Sequence, residues 1–190
     1  VVGRRDGCLQ VQCVNLSDMA RGLTVDTGTG VRTFSLPAQS YQCFSLEKRI
    51  VDSFNDGWEV RREGETVWTG VTVPHDAAFD RGYDREEDWD QGFVRCPKTV
   101  YRKTFARPVG PGRYAVRFDG VYMNSSVTLN GRKVGGRVNG FLPFEVPLDG
   151  LGETNVIEVA CDAMTPNARW YVGCGILRNV WLVRRTGAFT

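Results

Sequence analysis

Asp76, Asp119, Glu145 and Asp162 are among the acidic residues available for acid–base chemistry, and no spacing pairs any two of them. Glycosidic cleavage needs two carboxyl groups facing each other across one bond. Asp119 precedes Gly120 at a strand end, which reads as an acceptor for a turn hydrogen bond. A serine triad is excluded: the only histidine, His75, lies in "VPHDA", and no GxSxG elbow occurs. "GCG" at 173–175 and "GRKVGG" at 131–136 lack the strand–loop–helix setting in which glycines cradle phosphate.

The six cysteines, Cys8, Cys13, Cys43, Cys96, Cys161 and Cys174, form no CxxC pair, so neither a zinc site nor any other metal site is expected. Most lie in apolar strand patterns, which favours buried free thiols over disulfides. No cofactor is implied.

His75 and Asp76 follow Pro74, which ends a strand by removing a donor. They read either as a polar pair lining a ligand cleft or as a loop lock bonded to nearby backbone. Aromatic rings offer apolar faces to the C–H groups of sugars, with acids, amides and arginines bonding the hydroxyls. Trp58 and Trp68 sit in alternating runs and are expected in the core. Trp89, in "EEDWDQG", is the expected exposed ring. Trp170 and Tyr171 open "WYVGCGILRNVWL", where Gly173 and Gly175 permit a turn and Ile176, Val180 and Leu182 feed a strand.

These residues need a frame, and the sequence supplies strands. "LQVQCV" places Leu9, Val11 and Cys13 on one face and Gln10 and Gln12 on the other. Residues 1–47 offer three or four such short strands. From residue 48 onward "WEVRRE", "TVWTGVTVP", "TVYRKTFA", "GRYAVRFDGV", "NSSVTLNGRKVG", "GFLPFEVPL", "TNVIEVACD" and "NVWLVRRTG" follow at spacings near ten residues. Asn130-Gly131 predicts a tight hairpin turn. "RGYDREED" reads as a charged loop with a helical turn. No long helical periodicity appears, so the fold class is all-β, a sandwich or jelly roll.

The chain has 190 residues, 42% of them hydrophobic and 24% charged, with 22 glycines and 8 prolines. That suits a soluble β protein of one domain, or of one domain plus a small extra module. A net charge of +2 argues against nucleic acid as a partner. No apolar run approaches the roughly 20 residues that span a bilayer, so no membrane partner is expected. "VVGRRDG" carries neither an initiator Met nor a signal-like apolar run, so the chain reads as a fragment or processed piece. Cytoplasmic placement is favoured over secretion, and a homo-oligomer is left open.

Taken in order, "VPHDA" (73–77), "VYRKTF" (100–105), "VRFDGVYMNSSVTLNG" (116–131), "NGFLPFEVPL" (139–148), "NVIEV" (155–159) and "RWYVGCGILRNVWL" (169–182) resemble the N-terminal sugar-binding domain of glycoside hydrolase family 2, the β-galactosidase and β-glucuronidase family. The resemblance covers about residues 50 to 186. It implies a jelly-roll β-sandwich of the galactose-binding-like kind over 48–190, with a short N-terminal β-strand extension over 1–47. That leading segment, through "LPAQSY" and "FSL", resembles the closing strands of small β-sandwiches attached to glycosidase barrels.

The resemblance further implies that catalysis lies elsewhere. Its partners would be an immunoglobulin-like domain and a (β/α)₈ barrel carrying both catalytic glutamates, with a β-glycoside substrate at the domain edge. This chain holds no Asn-Glu dipeptide and no room for a barrel of about 250 residues. Two loops of the family's jelly roll can touch the terminal sugar. In the first, Gln91 to Lys98, Cys96 stands before Pro97 where some β-galactosidases have asparagine. In the second, Asp162 to Arg169, Ala168 stands two residues before the tryptophan where some have aspartate. Asp162, Asn167 and Arg169 are the remaining polar candidates there. The carbohydrate-binding set is therefore His75, Asp76, Trp89, Asp162, Asn167, Arg169, Trp170 and Tyr171, with no catalytic residue. Two rival readings are a free-standing carbohydrate-binding module using its exposed aromatics and a structural interaction domain.

Overall fold

The computed structural model describes residues 2–5, 8–26, 31–45, 48–87, 89, 92–164, 170–171 and 173–186, with the backbone alone at 2–5, 8–10, 26, 31–32, 43–45, 48 and 81. The described chain is all-β, built from several antiparallel sheets, and divides into two compact units. One comprises Val1–Ile50, Gly110–Arg113 and Arg184–Thr190; the other comprises Val51–Val109 and Tyr114–Val183. No helix among the described residues is long and apolar enough to cross a membrane.

The leading unit holds five strands where the sequence suggests three or four: β1 (Val2–Arg5), β2 (Cys8–Asn15), β3 (Arg21–Asp26), β4 (Val31–Leu36) and β5 (Ser40–Ser45). The extra one is β1, whose four residues are too short for alternation to declare itself. β1, β2 and β5 form one sheet, and β3 and β4 form a hairpin. Along β2, Val11 is buried and Gln12 exposed, as the alternation requires. Buried Asn15 ends that strand and ties two turns together. Its amide donates to the carbonyls of Met19 (2.9 Å), Leu36 (3.1 Å) and Pro37 (2.8 Å), while its Oδ1 accepts from Ser17 N–H (3.1 Å) and Oγ–H (2.7 Å).

β6 (Lys48–Ser53) leads into the larger unit, which carries β7 (Trp58–Arg62), β8 (Thr69–Val71), a 3₁₀ turn at Phe79–Arg81, β9 (Thr99–Ala106), β10 (Arg113–Phe118), β11 (Ser125–Leu129), β12 (Arg132–Arg137), β13 (Phe144–Pro147), β14 (Thr154–Cys161) and β15 (Val180–Thr186). One sheet has the order β12-β11-β14-β9-β7-β8 and the other β13-β10-β15-β6. Trp58, Val60, Tyr101, Val127, Ile157 and Val159 from the first meet Val116, Phe118, Val146 and Val180 from the second in one core. Each such side chain contributes about 1.5–3 kcal/mol of burial, so the inward positions of both sheets hold the unit together. Asn130 and Gly131 carry φ values of 49° and 79° and join Leu129 to Arg132 across a two-residue turn.

The tryptophans divide differently from the sequence expectation. Trp58 is buried and donates from Nε1 to the Phe54 carbonyl at 2.8 Å. Trp68 is only half-buried and lies outside the core. The guanidinium carbons of Arg61 and Arg102 sit 4.7 and 4.0 Å from its ring centroid, because arginine can stack on an indole while its charge stays wet. Asp119 is structural, as expected, but not through a turn: its carboxylate accepts from Arg117 Nε (2.8 Å) and Trp181 Nε1 (2.6 Å).

Candidate functional site

The "VPHDA" stretch and the "GCGI" corner are far apart in sequence and adjacent in space. His75 N–H donates to Ile176 O and Ala77 N–H to Cys174 O, both at 2.8 Å, while Gly175 pairs with Tyr122 in both directions at 2.8 and 3.0 Å. Gly175 has φ 115°, and a Cβ there would run into the Tyr101 hydroxyl and lie 3.2 Å from His75 O. Glycine is therefore demanded twice, by backbone conformation and by space. Arg178, after the corner, donates to Phe141 O at 3.3 Å.

This pairing builds a cleft of about 450 Å³ lined by Pro74, His75, Asp76, Tyr171, Gly173 and Leu177. His75 Nδ1 lies 2.8 Å from Tyr101 Oη, and Nε2 lies 3.0 Å from Asp80 Oδ2. Arg62, only 7% exposed, also pairs with Asp80 and with Glu65 (3.4 Å). With Asp80 already neutralised by Arg62, the network assigns a neutral imidazole: Nε2–H donates to Asp80 and Nδ1 accepts from the Tyr101 hydroxyl. Burial first, then the Arg62 charge, lowers the His75 pKa, against a smaller opposite pull from Asp76. Burial raises the Asp76 carboxyl pKa, partly offset by the Tyr171 hydroxyl and by the Ala78 amide, which donates at 3.2 Å. The Tyr171 hydroxyl is buried beside that carboxylate without a well-aligned hydrogen bond, and burial followed by the carboxylate pushes its pKa up. Both imidazole nitrogens are thus committed to Tyr101 and Asp80 and the Tyr171 hydroxyl is buried, so the Asp76 carboxyl is the cleft group able to bond a ligand hydroxyl.

Asp162 lies elsewhere. Its Oδ2 is 3.3 Å from Lys98 Nζ and its Oδ1 accepts from Met164 N–H at 3.0 Å. The Lys98–Asp162 pair joins the loop before β9 to the loop after β14. On one side is a pocket of about 390 Å³ lined by Arg61, Arg62, Glu65, Thr99 and Asn124 among others. On the other is a polar cleft of about 770 Å³ lined by Glu63, Asp84, Glu86, Glu87, Arg95 and Cys96 among others. Sequence reading marked the loop that holds Arg95 and Lys98 without naming either as a candidate, and it missed Glu63, which the pairing of β7 with β9 brings to the same edge.

Trp89 and Trp170 both neighbour Gly92, the first through its backbone and the second through its ring. Trp89 O accepts from Gly92 N–H at 3.0 Å, and a Cβ on Gly92 would lie 3.6 Å from the Trp170 ring. Both indoles are exposed, at 72% and 61%. Tyr171, the next residue, turns inward and meets Phe79 edge-on at 5.2 Å. The eight candidates therefore fall into separate groups: His75, Asp76 and Tyr171 in one cleft, Asp162 at another, and Trp89 with Trp170 on the surface around Gly92. Asn167 and Arg169 lie outside the described residues. No cluster of three or more His, Cys, Asp or Glu positioned to hold a metal occurs among the described residues.

Comparison with known proteins fits this β frame. No protein-family profile matches the chain. A Bacteroides ovatus protein named beta-galactosidase BoGH2A is 39% identical over 137 residues, covering 67% of this chain and 16% of that protein. A beta-glycosidase structure from Bacteroides vulgatus superposes with a TM-score of 0.65 at 30% identity, over 73% of this chain and 20% of that one. A glycosyl hydrolase family 2 structure from Bacteroides cellulosilyticus gives a TM-score of 0.61 at 27% identity, over 72% and 20%. The chain spans less than a fifth of the length of the curated relatives it matches. It is therefore homologous, over a part of their length, to the enzymes of glycoside hydrolase family 2.

Proposed function

We propose that residues 48–190 are the non-catalytic, jelly-roll sugar-binding domain of a family 2 glycoside hydrolase. The parent would be a retaining exo-β-glycosidase of β-galactosidase type, with β-glucuronidase as the nearest variant. An immunoglobulin-like domain and a barrel would follow in it, and residues 1–47 would extend this domain. The observation that carries this reading is the partial match: 73% of the chain superposes on only 20% of a beta-glycosidase. In this role the chain braces the barrel and lends side chains to the rim of the substrate entrance. The Lys98–Asp162 edge suits that role, because both loops end in groups able to bond sugar hydroxyls.

Hydrolysis of nitrophenyl β-galactoside, β-glucuronide and β-mannoside by the purified 190-residue chain tests this reading. No turnover is expected. The polypeptide encoded by the surrounding reading frame should cleave one of the three by double displacement. Sugar release by the 190-residue chain alone, or a reading frame without a barrel, would end the proposal.

A second reading, a carbohydrate-binding module, is favoured by the two exposed indoles around Gly92. Calorimetric titration with galactosides and with polysaccharides separates the two. A brace shows no heat, whereas a module shows binding that disappears in Trp89→Ala and Trp170→Ala.

A further inference from the structure

Cys96 and Cys174 belong to neither sheet. They meet in a small cluster apart from the main core, where Ala77, Ala78, Val94 and Cys174 are buried and Cys96 and Tyr171 pack against them. Both thiols are free. Cys174 Sγ donates to Pro97 O at 3.3 Å, the carbonyl of the residue that follows Cys96. The carbonyl one residue beyond Cys96 is thus held against the Cys174 sulfur, and both cysteines pack in one cluster; a cross-link requires Cα atoms within about 7 Å.

We propose that Cys96 and Cys174 form a reversible thiol–disulfide pair, oxidised by a low-molecular-weight disulfide such as glutathione disulfide, which fastens the loop before β9 to the Gly173–Gly175 corner. The Cys96 thiolate attacks one sulfur of the external disulfide, breaking its S–S bond and releasing the first small thiol. The Cys174 thiolate then attacks Cys96 Sγ, forming the internal S–S bond and expelling the second small thiol. Two cysteine protons end on the two released thiols; the cysteines are oxidised by two electrons and the external disulfide is reduced by the same two.

The surroundings divide the roles. Cys96 is the more accessible sulfur, and the neighbouring Cys174 thiol lowers its pKa despite burial, so it is the attacking thiol. Cys174 is held protonated by its nearness to Cys96 and by burial. Capping Cys96 removes the first of these causes and leaves burial opposing the resolving thiolate. Buried Cys161, pushed up to about 12 by burial, stands outside this chemistry. The cross-link does not depend on the reading under Proposed function. A change in sugar contact by the Cys96 loop would rest on it.

The test is incubation of the folded, reduced chain with glutathione disulfide, followed by alkylation and non-reducing peptide mapping. The expected result is one peptide pair joined through Cys96 and Cys174, a mass lower by two hydrogens, and reversal by dithiothreitol. Cys96→Ser should abolish the cross-link, and Cys174→Ser should stop at a mixed disulfide on Cys96. If Cys174→Ser fails to fold, Cys96→Ser decides alone. Both thiols remaining alkylatable, a mixed disulfide persisting in the native chain, or a bridge through another cysteine would overturn the proposal. No sugar enters the measurement, so its failure is distinguishable from failure of the glycosidase reading.

Discussion

The Tyr101 hydroxyl lies 2.8 Å from His75 Nδ1, joining a strand of the six-stranded sheet to the "VPHDA" loop beneath a glycine that leaves room for nothing larger. Tyr101 is fully buried, and burial pushes its phenol pKa up, so it serves as a donor throughout the ordinary pH range.

Tyr101→Phe removes that donor and leaves a partly buried imidazole nitrogen unpaired. A loss of about 1–2 kcal/mol is expected in urea unfolding. An unchanged midpoint would show that the bond contributes nothing.

Gly175→Ala sets a methyl group against the Tyr101 hydroxyl at a φ of 115° and should cost about 2 kcal/mol or more. In Gly175→Ala/Tyr101→Phe the clash is relieved, so the two costs should sum to more than the double mutant loses. Strict additivity would assign the whole penalty to backbone conformation.

The pH dependence has a definite sign. The lowered pKa of His75 means that the unfolded chain binds the proton more tightly, so this group withdraws stability as pH falls from about 6.5 toward its folded value. Asp76, raised by burial, acts oppositely: its folded form takes up a proton first and regains stability as pH falls through its raised value toward 3.8. His75→Asn should therefore resist acidification from about pH 7 to about pH 5 better than the native chain, and Asp76→Asn should lose the stability that the native chain regains as pH falls toward 3.8. Urea midpoints at about pH 7, 5 and 4 decide this, and the reverse order for either variant would contradict the assignment.

Lys98→Ala breaks an ion pair whose lysine is 61% exposed, and the stability change should stay within about 0.5 kcal/mol after solvent screening. Asp162→Ala also frees the Met164 amide and should cost about 1 kcal/mol more. Equal losses in thermal unfolding would mean that the Met164 bond has no role.

Asn15→Ala strips donors from three carbonyls at once and leaves a buried gap. About 2–3 kcal/mol should be lost, read as earlier exchange of the β2 and β5 amides, while the β9 and β14 amides keep their protection. Uniform loss of protection would show one cooperative fold.

Local rules made the strands legible. "WEVRRE" and "TNVIEVACD" read as strands, in which the structure buries Trp58, Val60, Ile157 and Val159, and Asn130-Gly131 announced its hairpin through the positive φ that only a few residue types accept. Trp68 defeated the same reasoning, because periodicity cannot say whether an indole meets a core or a pair of arginines on a neighbouring strand. The candidate site was less legible still. Sequence named His75, Asp76 and Tyr171, but not Asp80, five residues on, nor Tyr101 and Arg62, which fix the imidazole from other strands.

The amino-acid sequence by itself determined the all-β class, the place of the hairpin and a turn at the "GCG" corner, since each follows from a residue's own backbone and its immediate neighbours. Only the tertiary structure decided that Cys174 lies against the Cys96 loop, that Lys98 reaches Asp162, and that Trp170 stays exposed while Tyr171 turns in. Those outcomes depend on which strands pair across the sheets, and strand pairing is a long-range choice set by the packing of a whole core rather than by any local run of residues.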